Sequence, residues 1–311
     1  LEGRELQPCV VARRLDELKR AGVEVPWSAP GLAADHTAPA QGLRAVDAAR
    51  NADPRMRRAE AADAVRRSRS IEIDLSLLER EGYLVPHLAH SALATELRII
   101  KQPFLRNARG SAEGGPVRRG NLILVTSAVP GEGKTFLAMN LAMSIALEVD
   151  HSVLLVDADV LKPSVFERYG LPAERGLLDL LVDPKLQVSD VLLRTNVPKL
   201  SLLSAGTPNP HAAELLASEG MDRLLDDLAT RYSDRIVVFD APPLLPTAES
   251  RVMASRAGQV LMVVGAESTP QSLLERAYAA VESCPNVMSV LNRARASGSA
   301  GGYAYGAYGS Y

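Results

Sequence analysis

The stretch Leu122-Ile123-Leu124-Val125-Thr126-Ser127-Ala128-Val129-Pro130-Gly131-Glu132-Gly133-Lys134-Thr135-Phe136 decides how this chain is read. It opens as an aliphatic run suited to a buried strand, turns through a glycine-containing loop, and enters an apolar helix at Phe136. The loop follows the phosphate-binding pattern GxxxxGK[ST], with Ala128 in place of the first glycine. The physics of the pattern survives that change. Gly131 and Gly133 let backbone N–H groups turn toward an anion, the new helix presents its positive end, and Lys134 reaches the β- and γ-phosphates of a nucleotide. Thr135 is placed to ligate Mg2+. Pro130, Glu132 and Phe136 complete the segment expected to line the nucleotide, and Lys134 is expected to be solvated until one binds.

From residue 121 onward, short aliphatic runs alternate with segments of helical length. Strands are expected at 122–126, 153–157, 200–203, 236–240, 260–264 and 287–291. That alternation predicts an α/β P-loop NTPase fold, a mostly parallel central sheet with helices on both faces. Two of the strands end in acids: Asp157-Ala158-Asp159 after one, and Asp240 before Ala241-Pro242-Pro243 after another. In open α/β sheets the ligand edge is the C-terminal edge, so these carboxylates share an edge with the phosphate loop and converge on one Mg-nucleotide. Strand alternation predicts that Asp157 and Asp159 point to the same face. One would orient an attacking hydroxyl while the other helps hold the metal shell, and spacing leaves open which does which.

Composition narrows the alternatives. The chain has 311 residues, 47% hydrophobic and 23% charged, with a formal charge of -2, so no basic field points to nucleic acid. Cys9 and Cys284 are the only cysteines, which excludes a disulfide framework and a cysteine zinc site. No run approaches the ~20 apolar residues of a membrane span and no signal-peptide layout is present, so a cytoplasmic location is expected. The chain starts at Leu1, and a preceding native segment is expected.

The N-terminal third reads differently from the core. Val11, Leu15 and Leu18 recur at helical spacing before Gly22. The stretch 28–70, with Arg55, Arg57, Arg58, Arg66, Arg67 and Arg69 interrupted by Asp53, Glu60 and Asp63, reads as a mobile solvated linker. A helix is expected over 88–107, with Leu93, Leu97 and Ile100 on one face and a stop near Pro103. The expected organisation is an N-terminal helix and linker over 1–87, a phosphate-loop ATP-binding domain over 88–293, and a disordered tail over 294–311.

The loop at 128–135, the motif at 154–163 and the motif at 236–243 resemble the bacterial tyrosine kinases, autokinases of exopolysaccharide and capsule assembly. The segment Ser204-Ala205-Gly206-Thr207-Pro208-Asn209-Pro210 with Glu214-Leu215-Leu216 is similar to that family's connection between its second and third motifs, and Tyr303, Tyr305, Tyr308 and Tyr311 match its tyrosine-rich tail. Residues 14–27 look more specifically like the autokinases of exosortase-associated loci. Val129 occupies the position where partition and division-site ATPases carry a lysine that acts across a dimer, which favours the kinase reading over a partner-switching ATPase. A nucleotide-binding regulator without activity is a further alternative, opposed by Lys134, Thr135 and the three acids.

The resemblance implies ATP and Mg2+ as cofactors. It implies Lys134, Asp157 and Asp159 as catalytic residues, and Thr135, Asp159 and Asp240 around the metal. Asn292 would read the adenine edge, and the four tail tyrosines would be acceptors, phosphorylated in trans. It also implies homo-oligomerisation and a separate membrane-embedded chain-length regulator that holds the chain peripherally at the inner face of the membrane. Two departures stand out: Leu161 replaces a family arginine, and the oligomerisation helix reads Thr95, Arg98 and Lys101, with Glu96 displaced by one.

Overall fold

Each of the six aliphatic runs forms a strand, because their alternate residues have an apolar layer to enter on either side of the sheet. In β3 (Leu122–Ser127), Leu122 and Leu124 join one core and Ile123 and Val125 the other, and all four are fully buried. Residues 10–12, 69–110, 117–232 and 234–294 are described by the computed structural model.

In chain order the elements before β3 are β1 (Val10–Ala12), β2 (Arg69–Ile71), α1 (Leu75–Arg80) and α2 (Ala92–Arg109). After β3 come α3 (Lys134–Ala146), β4 (Ser152–Asp157), α4 (Val165–Arg168), α5 (Leu177–Val182), α6 (Val188–Val191), β5 (Leu193–Thr195) and β6 (Leu200–Leu203). The chain continues through α7 (Ala212–Ala217), α8 (Glu219–Arg231), β7 (Arg235–Asp240), α9 (Ala248–Arg256), β8 (Gln259–Gly265), α10 (Gln271–Ala280) and β9 (Val287–Asn292). The sheet order is β1-β9-β8-β3-β7-β4-β6-β5-β2. The six strands from β9 to β6 are mutually parallel, β5 is antiparallel to β6, and β1 is antiparallel to β9. One face packs against α1, α2 and α3, the other against α5 to α10. The predicted fold class is the observed one.

Three expectations change. The helix expected to stop near Pro103 runs to Arg109 and ends on Gly110, whose φ of +84° breaks the helical path. Pro103 removes one bond, to the carbonyl of Ile99, a residue on the exposed face of the helix. Burial of Ile100, Phe104 and Leu105 in the next turn holds the helix together at about 1.5–3 kcal/mol per side chain.

Residues 71–87, expected to belong to the N-terminal helix and linker, also pack on the core. Ile73, Leu78, Tyr83, Leu84 and Val85 are buried in the α3-side core, and Asp74 caps α1 by accepting from Leu77 N at 2.9 Å. Finally, Val11, assigned to a helix, lies in β1 paired with Val290, because β9 offers a sheet edge there. The remainder of that helix, the linker to residue 68 and the tail from 295 lie outside the described residues.

Candidate active site

The phosphate loop is the junction between β3 and α3. Gly131 and Gly133 have φ of +87° and +95°, the left-handed region that a side chain disfavours. At Gly133 there is a second reason: a Cβ would lie 2.2 Å from Asn292 Nδ2. Pro130 and Gly131 are exposed at the tip, while Thr135, in the first turn of α3, is buried. The loop is joined to the third motif from below. Leu244 N donates to Ser127 O at 2.8 Å, Leu245 N to Ala128 O at 3.2 Å, and Thr126 Oγ1 to Pro242 O at 2.7 Å.

Lys134 is not solvated, contrary to expectation. Its Nζ lies 2.9 Å from Asp159 Oδ2, and the two side chains are 13% and 8% exposed. Two unlike charges brought so close with little water between them pair in the absence of phosphate.

The acids do converge. Asp157 and Asp240 are register partners at the ends of neighbouring strands, and Val125 flanks Asp240 on its other side. β4 stops at Asp157, so the alternation predicted for Asp157 and Asp159 does not extend across the pair. Asp157 Oδ2 accepts from Ser164 N and Val165 N, both at 3.0 Å, at the start of α4. Asp159 opens a turn instead, its Oδ1 accepting from Lys162 N at 3.1 Å.

Three buried carboxylate oxygens have no hydrogen-bond partner: Asp157 Oδ1 and both oxygens of Asp240. Burial and then the neighbouring Asp240 charge push the Asp157 pKa up to about 7, against the pull of the two backbone donors. Burial raises Asp240 to about 6, with the Lys134 ammonium and then the Thr135 hydroxyl, near but outside hydrogen-bond geometry, acting in the opposite direction.

Other predicted residues are placed less simply. Phe136 stacks on Tyr83, ring centroids 5.0 Å apart, and Arg168 Nη1 donates to the Tyr83 hydroxyl at 2.9 Å. Asn292 turns its amide to the loop, donating from Nδ2 to Glu132 O at 2.8 Å, while its Oδ1 accepts from Arg293 N. Lys101 is buried within the subunit, bonded to Ser144 O at 2.6 Å and Glu148 Oε1 at 2.7 Å, and Arg98 donates to Ala89 O. Leu161 is 54% exposed beside the site.

Sequence reasoning missed Asp179. Its Oδ2 fixes the Ser204–Pro210 connection by accepting from Gly176 N and Thr207 N, donors that hold its pKa down although burial alone would raise it. An acid three residues after Gly176 was the available signal.

A parallel sheet carrying a phosphate loop and three strand-end acids on one edge defines a P-loop nucleotide-binding protein. Comparison with known proteins is more specific, although no protein-family model matches the chain. The chain is 31% identical over 191 residues to the tyrosine-protein kinase YwqD of Bacillus subtilis (strain 168), covering 61% of this chain and 79% of that protein. It is 38% identical over 143 residues to the putative tyrosine-protein kinase EpsB of Ralstonia nicotianae, a match that spans 46% of this chain but only 18% of EpsB. Among solved structures, the chimerical protein CapA2B2 superposes with a TM-score of 0.58 at 27% identity, over 73% of this chain and 93% of that one. The kinase domain of the Escherichia coli tyrosine kinase ETK shares the fold, with a TM-score of 0.59 at 24% identity over 77% and 94% of the two chains. The chain belongs to the bacterial tyrosine-protein kinase family.

Proposed function

We propose that this chain is an ATP-dependent protein-tyrosine autokinase of exopolysaccharide biosynthesis and export, with Mg2+ accompanying the nucleotide, and that its C-terminal tyrosines are phosphorylated by a neighbouring copy. The observation that carries the reading is the meeting of Lys134, Asp157, Asp159 and Asp240 at the phosphate-loop edge of the sheet. The two orphaned oxygens of Asp240 fit a hard divalent cation. Among the described residues no group of three His, Cys, Asp or Glu side chains is arranged to hold an ion by itself. That agrees with the habit of Mg2+ of taking one or two carboxylates and completing its shell from phosphates and water. Thr135, Asp159 and Asp240 would hold it, and it would supply charge neutralisation for the transferring phosphoryl group.

In this reading Lys134 exchanges the Asp159 carboxylate for the nucleotide phosphates, which would leave Asp159 free to serve as a metal ligand. The loop amides and the start of α3 hold the phosphate oxygens. Asp157 is anchored through Oδ2, which leaves Oδ1 to accept a hydrogen bond from the tyrosyl hydroxyl. The phenolic oxygen bonds to the γ-phosphorus, the bond to the β-phosphate oxygen breaks, ADP leaves, and the proton passes to Asp157 or to water. A tyrosine titrates near pKa ~10, so Asp157 contributes more by orientation than by outright proton removal.

The acceptors are Tyr303, Tyr305, Tyr308 and Tyr311. From Asn292 to Tyr303 an extended chain spans about 35 Å, comparable with a domain diameter and enough to enter a second copy. The resemblance of the motifs supports a membrane-embedded chain-length regulator as partner, holding the chain at the inner face of the membrane, and that of residues 14–27 supports an exosortase-associated setting. Among the described residues no helix is long and apolar enough to cross a membrane. We assign 69–293 to the kinase domain and 294–311 to the acceptor tail.

The test mixes a Lys134→Ala protein bearing the intact tail with an active protein whose four tail tyrosines are Phe. Label on the inactive partner's tail supports transfer in trans. Absence of label there, where wild type labels strongly, defeats it.

A further inference from the structure

Glu132 lies between the two left-handed glycines of the phosphate loop, yet its side chain is buried, only 2% of the residue being exposed. Its Oε2 accepts from Val129 N at 2.8 Å, bracing the loop against itself. Its Oε1 accepts from Gly265 N, the last residue of β8, at 3.0 Å and from Thr269 Oγ1 in the loop that follows. Its carbonyl oxygen accepts from Asn292 Nδ2 at the end of β9. One residue thus ties the loop to two strands on the side away from Asp157 and Asp240. The fit is close: a Cβ at Gly265 would come 2.3 Å from Ser268 Oγ and 3.7 Å from Glu132 Cγ.

We infer that Glu132 is a positioning residue for nucleotide binding, its carboxylate holding the phosphate loop in its binding shape by anchoring it to Gly265 and Thr269, with Asn292 as a second anchor. A loop with two glycines has unusual freedom to lose when its amides must converge on a phosphate. Anchoring it beforehand removes part of that cost from the binding step. Both carboxylate oxygens accept hydrogen bonds from fixed donors, so glutamine fails at one of them by turning an N–H2 toward a donor. The loop is anchored equally before and during transfer, so losing the anchor raises KM for ATP more than it lowers kcat.

The inference rests on the nucleotide reading of the loop, and its test separates the two. The full chain, as wild type, Glu132→Gln, Thr269→Val and the double variant, is titrated with ADP by calorimetry, with Tm recorded for each. Thr269 touches Glu132 but is not placed against the nucleotide. We expect ADP binding to weaken about 10-fold or more in Glu132→Gln, and about threefold in Thr269→Val. The double variant is expected to lose less than the two single losses multiplied together, because both changes loosen the same anchor. A purely structural role lowers Tm and leaves the Kd of the folded protein unmoved. A folded Glu132→Gln with wild-type affinity, or strictly additive effects, overturns the inference. If Glu132→Gln does not fold, Thr269→Val decides: weaker binding at unchanged Tm supports the anchor, and unchanged Kd overturns it. Wild type that fails to bind ADP defeats the nucleotide reading instead.

Discussion

Glu132 and Asp240 are buried acids on the same edge of the same sheet, on opposite sides of the phosphate loop, and they are treated in opposite ways. Both oxygens of Glu132 are occupied by donors from its own loop, from the end of β8 and from the loop after it. Neither oxygen of Asp240 has a partner in hydrogen-bond geometry, although the Thr135 hydroxyl is near, and its neighbour Asp157 has one oxygen bonded and one bare. A buried carboxylate without donors is costly, so the fold bears that cost only where something else comes to meet the group. A satisfied acid fixes geometry; an unsatisfied one is held for a ligand.

The largest expected effect comes from the charge that bridges the two regions. Lys134→Met should lower tail phosphorylation by about 10^3-fold or more in a radiolabel assay. It should also cost roughly 1–3 kcal/mol in urea denaturation, because Asp159 loses its partner. Phosphorylation at the wild-type rate would remove Lys134 from the site.

Asp157→Asn comes next, with kcat reduced by about 10^2-fold and ADP affinity within a few fold of wild type. Asparagine can keep an acceptor on the Ser164 and Val165 amides, which protects the fold. A large loss of affinity with kcat preserved would instead assign Asp157 to the metal shell.

The pH dependence sharpens the contrast. Asp157 and Asp240 have folded pKa values of about 7 and about 6, above the ordinary carboxylate value of 3.8. Between pH 4 and 7 the folded state therefore binds more protons than the unfolded one, and stability of the ligand-free, metal-free protein falls as pH rises through that window. Asp240→Asn should remove part of the fall, so that at pH 8 the variant is more stable than wild type by on the order of 1–3 kcal/mol in thermal denaturation. Identical curves at pH 5 and pH 8 for both proteins would contradict the reading of Asp240 as an uncompensated charge.

The smallest effect is expected at a satisfied charge remote from the loop. Lys101 is buried and bonded to Ser144 O and Glu148, and Lys101→Met keeps its volume while removing both interactions. Because the Glu148 side chain is 32% exposed and is not left as a buried unpaired charge, the expected change is within about 1 kcal/mol. A loss several times larger would mean that satisfaction of Lys101 is a source of stability rather than a compensation.

Much of the fold was legible because its strands are buried on both faces, and such strands announce themselves as unbroken aliphatic runs. The acids at 157, 159 and 240 were legible because each follows such a run. Residues 69–87 were not, since β2 is three residues long and the buried Ile73, Leu78 and Tyr83 are scattered among exposed charges. Pro103 misled for a related reason: the rule it follows is local, and the packing of Phe104 and Leu105 that overrides it is not. Glu132 was read as lining the nucleotide because its neighbours in sequence do. Besides Val129, its partners in the structure are Gly265, Thr269 and Asn292, more than 130 residues away along the chain.

The account stands most directly on one measurement: purified full chain is incubated with Mg-ATP, beside Lys134→Met as control, and phosphorylated residues are mapped by mass spectrometry. Phosphotyrosine at Tyr303, Tyr305, Tyr308 or Tyr311 in the wild type and none in the control is the predicted result. ATP turnover with no phosphotyrosine on the chain, or equal labelling of the control, would contradict it.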